Sequence, residues 1–346
     1  MDEASCPAWP LASQAEHGGN LSAARLAYPQ APEPWLDLST GINPYSYPFG
    51  DLPQDCFTKL PCPGELRILE EVAAAVYRIP LHAQAVAAPG TQTIINWLAR
   101  LLPGRRVGIL GFSYCEFARS WAATGAEVTI ATELAALRDQ DVAIIVNPNN
   151  PDGRLVVKHD LHALAAALDK HGGVLIVDEA FIDFESEKSA IPKMPASGMV
   201  VLRSFGKTYG LPGLRLGFAI APKNVAAKLR AALGPWPVSG AAIAIGTRAL
   251  ADTEWLAVTR ERLTADIAAL DEILAAAGFA LLGGTPLFRL VRHREAQLWF
   301  ERLAKSGILA RRFESRPAWL RFGIAGTDAG RARLRTALGL GSSHLG

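Results

Sequence analysis

The chain has 346 residues, half of them hydrophobic and 20% charged, with a net charge of +2. Disorder of the whole chain is excluded, because disordered chains are apolar-poor and charge-rich. The balanced, scattered charges argue against nucleic acid or an acidic surface as a general partner. The length calls for two lobes, or one large α/β domain with an appendage.

No run approaches the ~18 uninterrupted apolar residues of a membrane span. The start, Met1–Ser5, is acidic and lacks the basic and apolar stretches of a signal peptide. Cys6, Cys56, Cys62 and Cys115 form no C-x-x-C pair. So few thiols fit a reduced cytoplasm better than a disulfide scaffold, and a cytoplasmic protein is expected.

The first ~60 residues are rich in Pro, Gly and Asn with few periodic runs, the pattern of an extended arm. Next comes Pro89-Gly90-Thr91-Gln92, a glycine turn opening a helix expected over Thr91–Leu102. Val107–Leu110, Val128–Ala131, Val142–Val146, Val174–Val177, Met199–Leu202 and Leu216–Ile220 read as strands buried on both faces. A helix over His159–Lys170 stops at Gly172-Gly173. Strands alternating with helices predict a mainly parallel sheet covered on both sides.

The last third differs. Leu263, Ile267, Leu270 and Leu274 mark one face of a long helix starting near Asp252 and ending at Gly278. Strands over Leu287–Val291 and Trp319–Ile324, with helices near Arg294–Ser306 and Asp328–Leu338, complete a smaller α+β lobe. Arg331, Arg333 and Arg335 read as a solvated helix face, as do His159 and His162, which have no third metal ligand in evidence. No metal is expected.

Four segments at strand ends or turns carry the chemistry, where ligands of open α/β sheets bind. The amides of Gly90 and Thr91 at a helix start suit a phosphate, although ordinary capping by Thr91 would look the same. Asn147-Pro148-Asn149-Asn150-Pro151-Asp152-Gly153 is a rigid turn able to aim amides into a cleft. Asp178 ends an apolar strand, where a buried carboxylate needs a partner such as a protonated ring nitrogen or a cation. Lys207 sits among small and apolar residues just past a strand, which lowers an amine's pKa and frees it for Schiff-base chemistry. Ser204 and Arg215 flank it and can hold a phosphate. The glycines at 210, 213 and 217 do not spell G-x-G-x-x-G, which discounts a dinucleotide-binding dehydrogenase.

From Leu36 to Leu338, with Asn150, Asp178, Lys207 and Arg215 as its markers, the sequence resembles the fold-type I pyridoxal-phosphate (PLP) enzymes, in the class that holds histidinol-phosphate aminotransferases. The resemblance implies a mainly parallel seven-stranded sheet flanked by helices, plus a small α+β C-terminal domain. It implies an arm over 1–45, a large PLP-binding domain over 46–235, a small domain over 236–346, and a homodimer. Lys207 would link covalently to PLP, and Asp178 would hold the pyridine nitrogen's proton. Asn150 would bond the ring's 3-oxygen, and Tyr114 would stack on the ring. Gly90, Thr91, Ser204 and Arg215 would hold the cofactor phosphate, and Arg321 the substrate carboxylate.

The start, His17-Gly18-Gly19-Asn20-Leu21 followed by Trp35–Pro44, is similar to that of the threonine-phosphate decarboxylases of cobalamin synthesis. This narrower resemblance implies a phosphorylated amino-acid substrate, with His17, Asn43 and Arg311 as candidates for its phosphate. A histidinol-phosphate-type aminotransferase is the alternative, and a catalytically dead PLP-fold binding protein a further one. Phe181 and Leu60 depart from the pattern. Many relatives carry Tyr at both places, one donating to the ring oxygen and one reaching across the dimer.

Overall fold

The computed structural model describes residues 17–102 and 104–341. Cys6 and the acidic start Met1–Ser5 lie outside the described residues. Seven strands form the main sheet: β1 (Ala83–Ala88), β2 (Arg106–Leu110), β3 (Glu127–Ala131), β4 (Val142–Val146), β5 (Val174–Asp178), β6 (Met199–Ser204) and β7 (Gly217–Pro222). Their spatial order is β1-β7-β6-β5-β4-β2-β3. The pairs from β6 across to β3 are parallel, and β7 runs antiparallel to both its neighbours.

Both faces of this sheet are covered, and the strand pleat divides its side chains between two cores. On β4, Ala143 and Ile145 enter one core while Val142, Ile144 and Val146 enter the other. Leu175 and Val177 of β5 face the first core and Ile176 the second. A strand buried this way shows no alternation, which is why these runs read as continuous apolar stretches.

The small lobe holds a four-stranded antiparallel sheet of β8 (Ala280–Thr285), β9 (Phe288–Arg292), β10 (Arg311–Arg312) and β11 (Trp319–Gly323), in the order β10-β11-β9-β8. Glycines 283 and 284 of β8 let a backbone come close. A Cβ on Gly283 would strike the carbonyl of Asp152, and one on Gly153 would strike that of Gly284. The Asn-Pro turn after β4 is thus docked backbone to backbone on the small sheet.

Three helices matter for the site: α1 (Thr91–Leu101), α2 (Gly240–Ala251) and α3 (Thr253–Ala276). Asp252 caps α3 by accepting the Trp255 amide at 2.9 Å, and Gly278 (φ +80°) follows its end. Val238, Ala242, Ile243, Ile245, Ala249 and Leu250 pack into the large sheet's core, whereas Leu256 and Leu263 of α3 pack with the small lobe. The apolar face of α2 meets the helix Pro63–Val76, not α3's partners. Two of the C-terminal arginines are not a solvated face. Arg331 bonds Asp266 at 2.6 Å, and Arg333 donates to the carbonyls of Ser306 and Pro32 at 2.9 and 3.0 Å.

The arm is ordered by specific contacts. Asn20 caps a short helix over Leu21–Ala27. The backbone then pairs with the small lobe, Leu36 N to Gly307 O and Leu38 N to Leu309 O, both at 2.8 Å. Asn43 N next donates to Lys207 O, and Tyr47 N to Tyr209 O, both at 2.9 Å. The arm therefore runs from the small lobe to the turn that carries Lys207. Among the described residues no helix is long and apolar enough to cross a membrane.

Candidate active site

A cavity of about 490 Å³ opens between the carboxyl ends of β4, β5 and β6 and the small lobe. Eleven of the twelve residues singled out from the sequence line it; Asn43 does not.

One end is an anion cup. Register pairs Ala88 at the end of β1 with Gly217 at the start of β7, so the residues just beyond, Gly90 and Arg215, face each other. Gly90 adopts φ +84°, and a Cβ there would lie 2.6 Å from an Arg215 guanidinium nitrogen. Only glycine tolerates both conditions. Gly90 caps α1, whose first amides have no helical acceptor and whose dipole favours an anion. Arg215 donates to Pro212 O at 3.2 Å, and Ser204 Oγ receives the Lys207 amine at 3.4 Å. Helix amides, guanidinium and hydroxyl converge as phosphate sites do.

The middle holds the reactive pair. Asp178 is the last residue of β5 and Lys207 lies in a one-turn helix directly after β6. Asp178 is 5% exposed and accepts the Ala180 amide at 3.1 Å. Burial pushes its pKa up and the Lys207 charge pulls it down. Burial lowers Lys207, Asp178 opposes that shift, and Arg321 and Arg215 add to it. The amine thus yields its proton more readily than an exposed lysine does. Tyr114 donates to Gln92 Oε1 at 3.0 Å, and burial raises its phenol pKa. Phe181 packs edge-on against Phe288, with the Lys207 amine 5.1 Å from its ring centre.

Arginines dominate the other end. Arg321 on β11 is buried, donates to Asn150 Oδ1 and to Ser39 O (2.8 Å for the latter), and has no hydrogen-bond partner at Nε. Burial, with Arg311 adding to it and Asp37 opposing, lowers its pKa to about 9. Arg311 on β10 is paired opposite it. His17 stands at the mouth, its ring 6.0 Å from that of Tyr114, with Nε2 3.0 Å from Glu116 Oε1. Cys115 joins His17 and Glu116 there, but Arg119 already holds the same carboxylate oxygen at 3.2 Å. Of the helix histidines, His159 lies beside Asp160 and His162 bonds Ala190 O at 2.9 Å.

Asn43, an expected substrate contact, is 2% exposed and lies behind the lysine. Its side chain donates to Thr208 O at 2.8 Å and accepts the Tyr45 amide at 3.0 Å. Several lining residues have no role assigned from the sequence, Gln92 and Ser39 among them. Gln92, one position past Thr91, was findable from its place in the first turn of α1. Ser39 acts through its carbonyl, which no side-chain signal marks.

A lysine and a carboxylate buried together beside an anion cup, at strand ends of a mainly parallel sheet, define the class of pyridoxal-phosphate-type α/β enzymes. The chain belongs to the aminotransferase class I and II family, whose model matches residues 54–338. A threonine-phosphate decarboxylase of Sinorhizobium sp is 42% identical over 93% of this chain and 97% of that protein. One from Pseudomonas aeruginosa is 40% identical over the same shares. The histidinol-phosphate aminotransferase of Sinorhizobium meliloti, solved in complex with pyridoxal-5'-phosphate, has the same fold, with a TM-score of 0.78, 20% identity and 97% of each chain covered.

Proposed function

We propose that this protein is a PLP-dependent threonine-phosphate decarboxylase, converting L-threonine O-3-phosphate to (R)-1-aminopropan-2-yl phosphate for the aminopropanol arm of cobalamin. The observation that carries the reading is the buried Asp178–Lys207 pair beside the Gly90–Arg215 cup, together with 40–42% identity to proteins of that name.

The residues fit the cofactor. Because no Cβ intervenes at Gly90, the first amides of α1 lie beside the Arg215 guanidinium, a donor set that suits a phosphate. Gly90, Thr91, Ser204 and Arg215 would hold the phosphate, Tyr114 the ring face and Asn150 the 3-oxygen. When bound, PLP supplies an electron sink for the pair left at Cα.

Asp178 would hold the proton on the ring nitrogen, and its burial would keep that interaction strong. Lys207 would hold the cofactor covalently through its amine and would supply the proton that replaces the carboxylate at Cα. Arg321 takes the substrate carboxylate as a planar two-toothed donor. Arg311 and His17 take the substrate phosphate. With both anionic ends fixed, Arg321 at the carboxylate and Arg311 with His17 at the phosphate would set the orientation of the bond that breaks, with carbon dioxide as the leaving group. The product gains one proton at Cα in place of the lost carboxylate.

The protein acts as a homodimer in the cytoplasm under this reading. Incubation with O-phosphothreonine should release CO₂, whereas histidinol phosphate with 2-oxoglutarate should yield little glutamate. Glutamate without CO₂ would establish the aminotransferase instead.

A further inference from the structure

The residue after Asp178 and the residue after Lys207 both lead into one buried charge cluster behind the sheet. Its centre is Arg203, 2% exposed, next to Ser204 on β6 and so directed to the opposite face. Arg203 Nε lies 3.2 Å from Glu179 Oε2, Nη1 donates to Asp183, and Nη2 donates to Ser189 Oγ at 2.9 Å. The guanidinium also lies 4.6 Å over the Tyr77 ring. Glu179 accepts the Ser189 hydroxyl and the Ala190 amide, both at 2.7 Å.

Asp183 has a second partner: Thr208 Oγ1 donates to its other carboxylate oxygen at 2.5 Å. One carboxylate therefore ties three things together: the segment leaving Asp178, strand β6, and the turn carrying Lys207. That turn, Phe205–Thr208, spans four residues, too few to hold a helical shape unaided. Asn43 clamps its backbone through the Lys207 and Thr208 carbonyls. The Thr208 side chain adds a tie across the sheet, to Asp183.

We propose that Asp183 and Thr208 are positioning residues. Their hydrogen bond, with Arg203 locking Asp183 in place, sets where the Lys207 amine stands relative to Asp178. The proposal rests on the cofactor roles given to Lys207 and Asp178. Neither Asp183 nor Thr208 is among the residues lining the cavity, so their effect on chemistry runs through the lysine's position.

The test uses the holoenzyme with Thr208→Val, Thr208→Ser and Asp183→Asn, reading kcat, KM and the pH midpoint of the bound cofactor's visible band. Small misplacements of a reacting group are costly, so Thr208→Val and Asp183→Asn should each lower kcat about tenfold or more while KM stays within about twofold. The midpoint should move by about half a pH unit, because the lysine's distance from its charge partners changes. Thr208→Ser keeps the hydroxyl and should restore both quantities. A Thr208→Val enzyme with wild-type kcat and midpoint, whatever its melting temperature, overturns the proposal. So does Thr208→Ser behaving like Thr208→Val. A wild-type protein with no borohydride-sensitive band would sink the cofactor reading and this proposal with it; a wild-type band that the variants leave unmoved sinks the proposal alone.

Discussion

Arg321 donates a hydrogen bond to Asn150, 171 residues earlier in the chain. The first belongs to the small sheet and the second to the turn after β4, so a joint between the lobes lies inside the cavity. The same guanidinium also holds Ser39 in the arm. Three parts of the chain, already in backbone contact around the small lobe, meet at one side chain.

Arg321→Lys should therefore weaken substrate binding more than it slows chemistry. A lysine offers a point charge and cannot donate in a plane to two partners. Hydrogen bonds to charged groups are worth ~1.5–3 kcal/mol, which corresponds to a KM raised roughly ten- to hundredfold. Steady-state kinetics with O-phosphothreonine would show it. An unchanged KM would remove Arg321 from carboxylate recognition.

Asp178→Asn should change the ionisation of Lys207 in a stated direction. Burial holds the folded amine below its ordinary pKa, and Asp178 partly offsets this. In the window between the lowered folded value and the ordinary one, the unfolded chain binds the extra proton. The cofactor-free protein therefore gains stability as pH rises through that window. Removing the Asp178 charge lowers Lys207 further and widens the window. The half-maximal pH for attachment of added pyridoxal phosphate should fall, and turnover should drop roughly a hundredfold or more with the loss of a preorganised charge.

Gly90→Ala should loosen the cofactor. A non-glycine residue held in this backbone region costs on the order of 1–3 kcal/mol, and the new methyl would meet Arg215. Retention of the visible band through dialysis measures the effect. The affinity for pyridoxal phosphate should fall about tenfold or more, since every 1.4 kcal/mol is roughly a factor of ten.

Asn43→Ala separates two placements of that residue. Because its amide braces the turn of Lys207, the loss should lower kcat and destabilise the protein by about 1–3 kcal/mol, the cost of leaving buried groups unpaired. Urea titration gives the second quantity. An effect confined to KM would return Asn43 to the substrate.

Arg203→Ala should be strongly damaging although the residue lies outside the cavity. It would leave Glu179 and Asp183 buried without their shared cation, and breaking such a cluster costs about 3–5 kcal/mol. A shifted urea midpoint, or insoluble protein, would show this.

Much of the fold is legible in the sequence where burial and propensity agree. β4 reads Val-Ala-Ile-Ile-Val, buried along its whole length, and its bounds follow from the residues alone. β1 reads Ala-Gln-Ala-Val-Ala-Ala, small helix-favouring residues that become a strand only because β7 pairs with them. β8 contains two glycines, which signal a loop unless the approaching Asn-Pro turn is known. The candidate site follows the same division. Lys207, Asp178 and Arg215 announce themselves by type and context. The bracing roles of Asn43 and Asp183 depend on contacts between distant segments, with separations of 165 and 25 residues to Thr208.

The sheet order also bears on when the protein can first capture its ligand. β1 is made early in the chain, yet its one partner in the sheet is β7, the last of the seven strands in sequence. A growing chain that stops short of Pro222 has nothing for β1 to join, and Gly90 then has no Arg215 opposite it. The anion cup is complete only with β7 in place between β1 and β6. The ability to hold a phosphate there therefore depends on the last strand of the large sheet being in place.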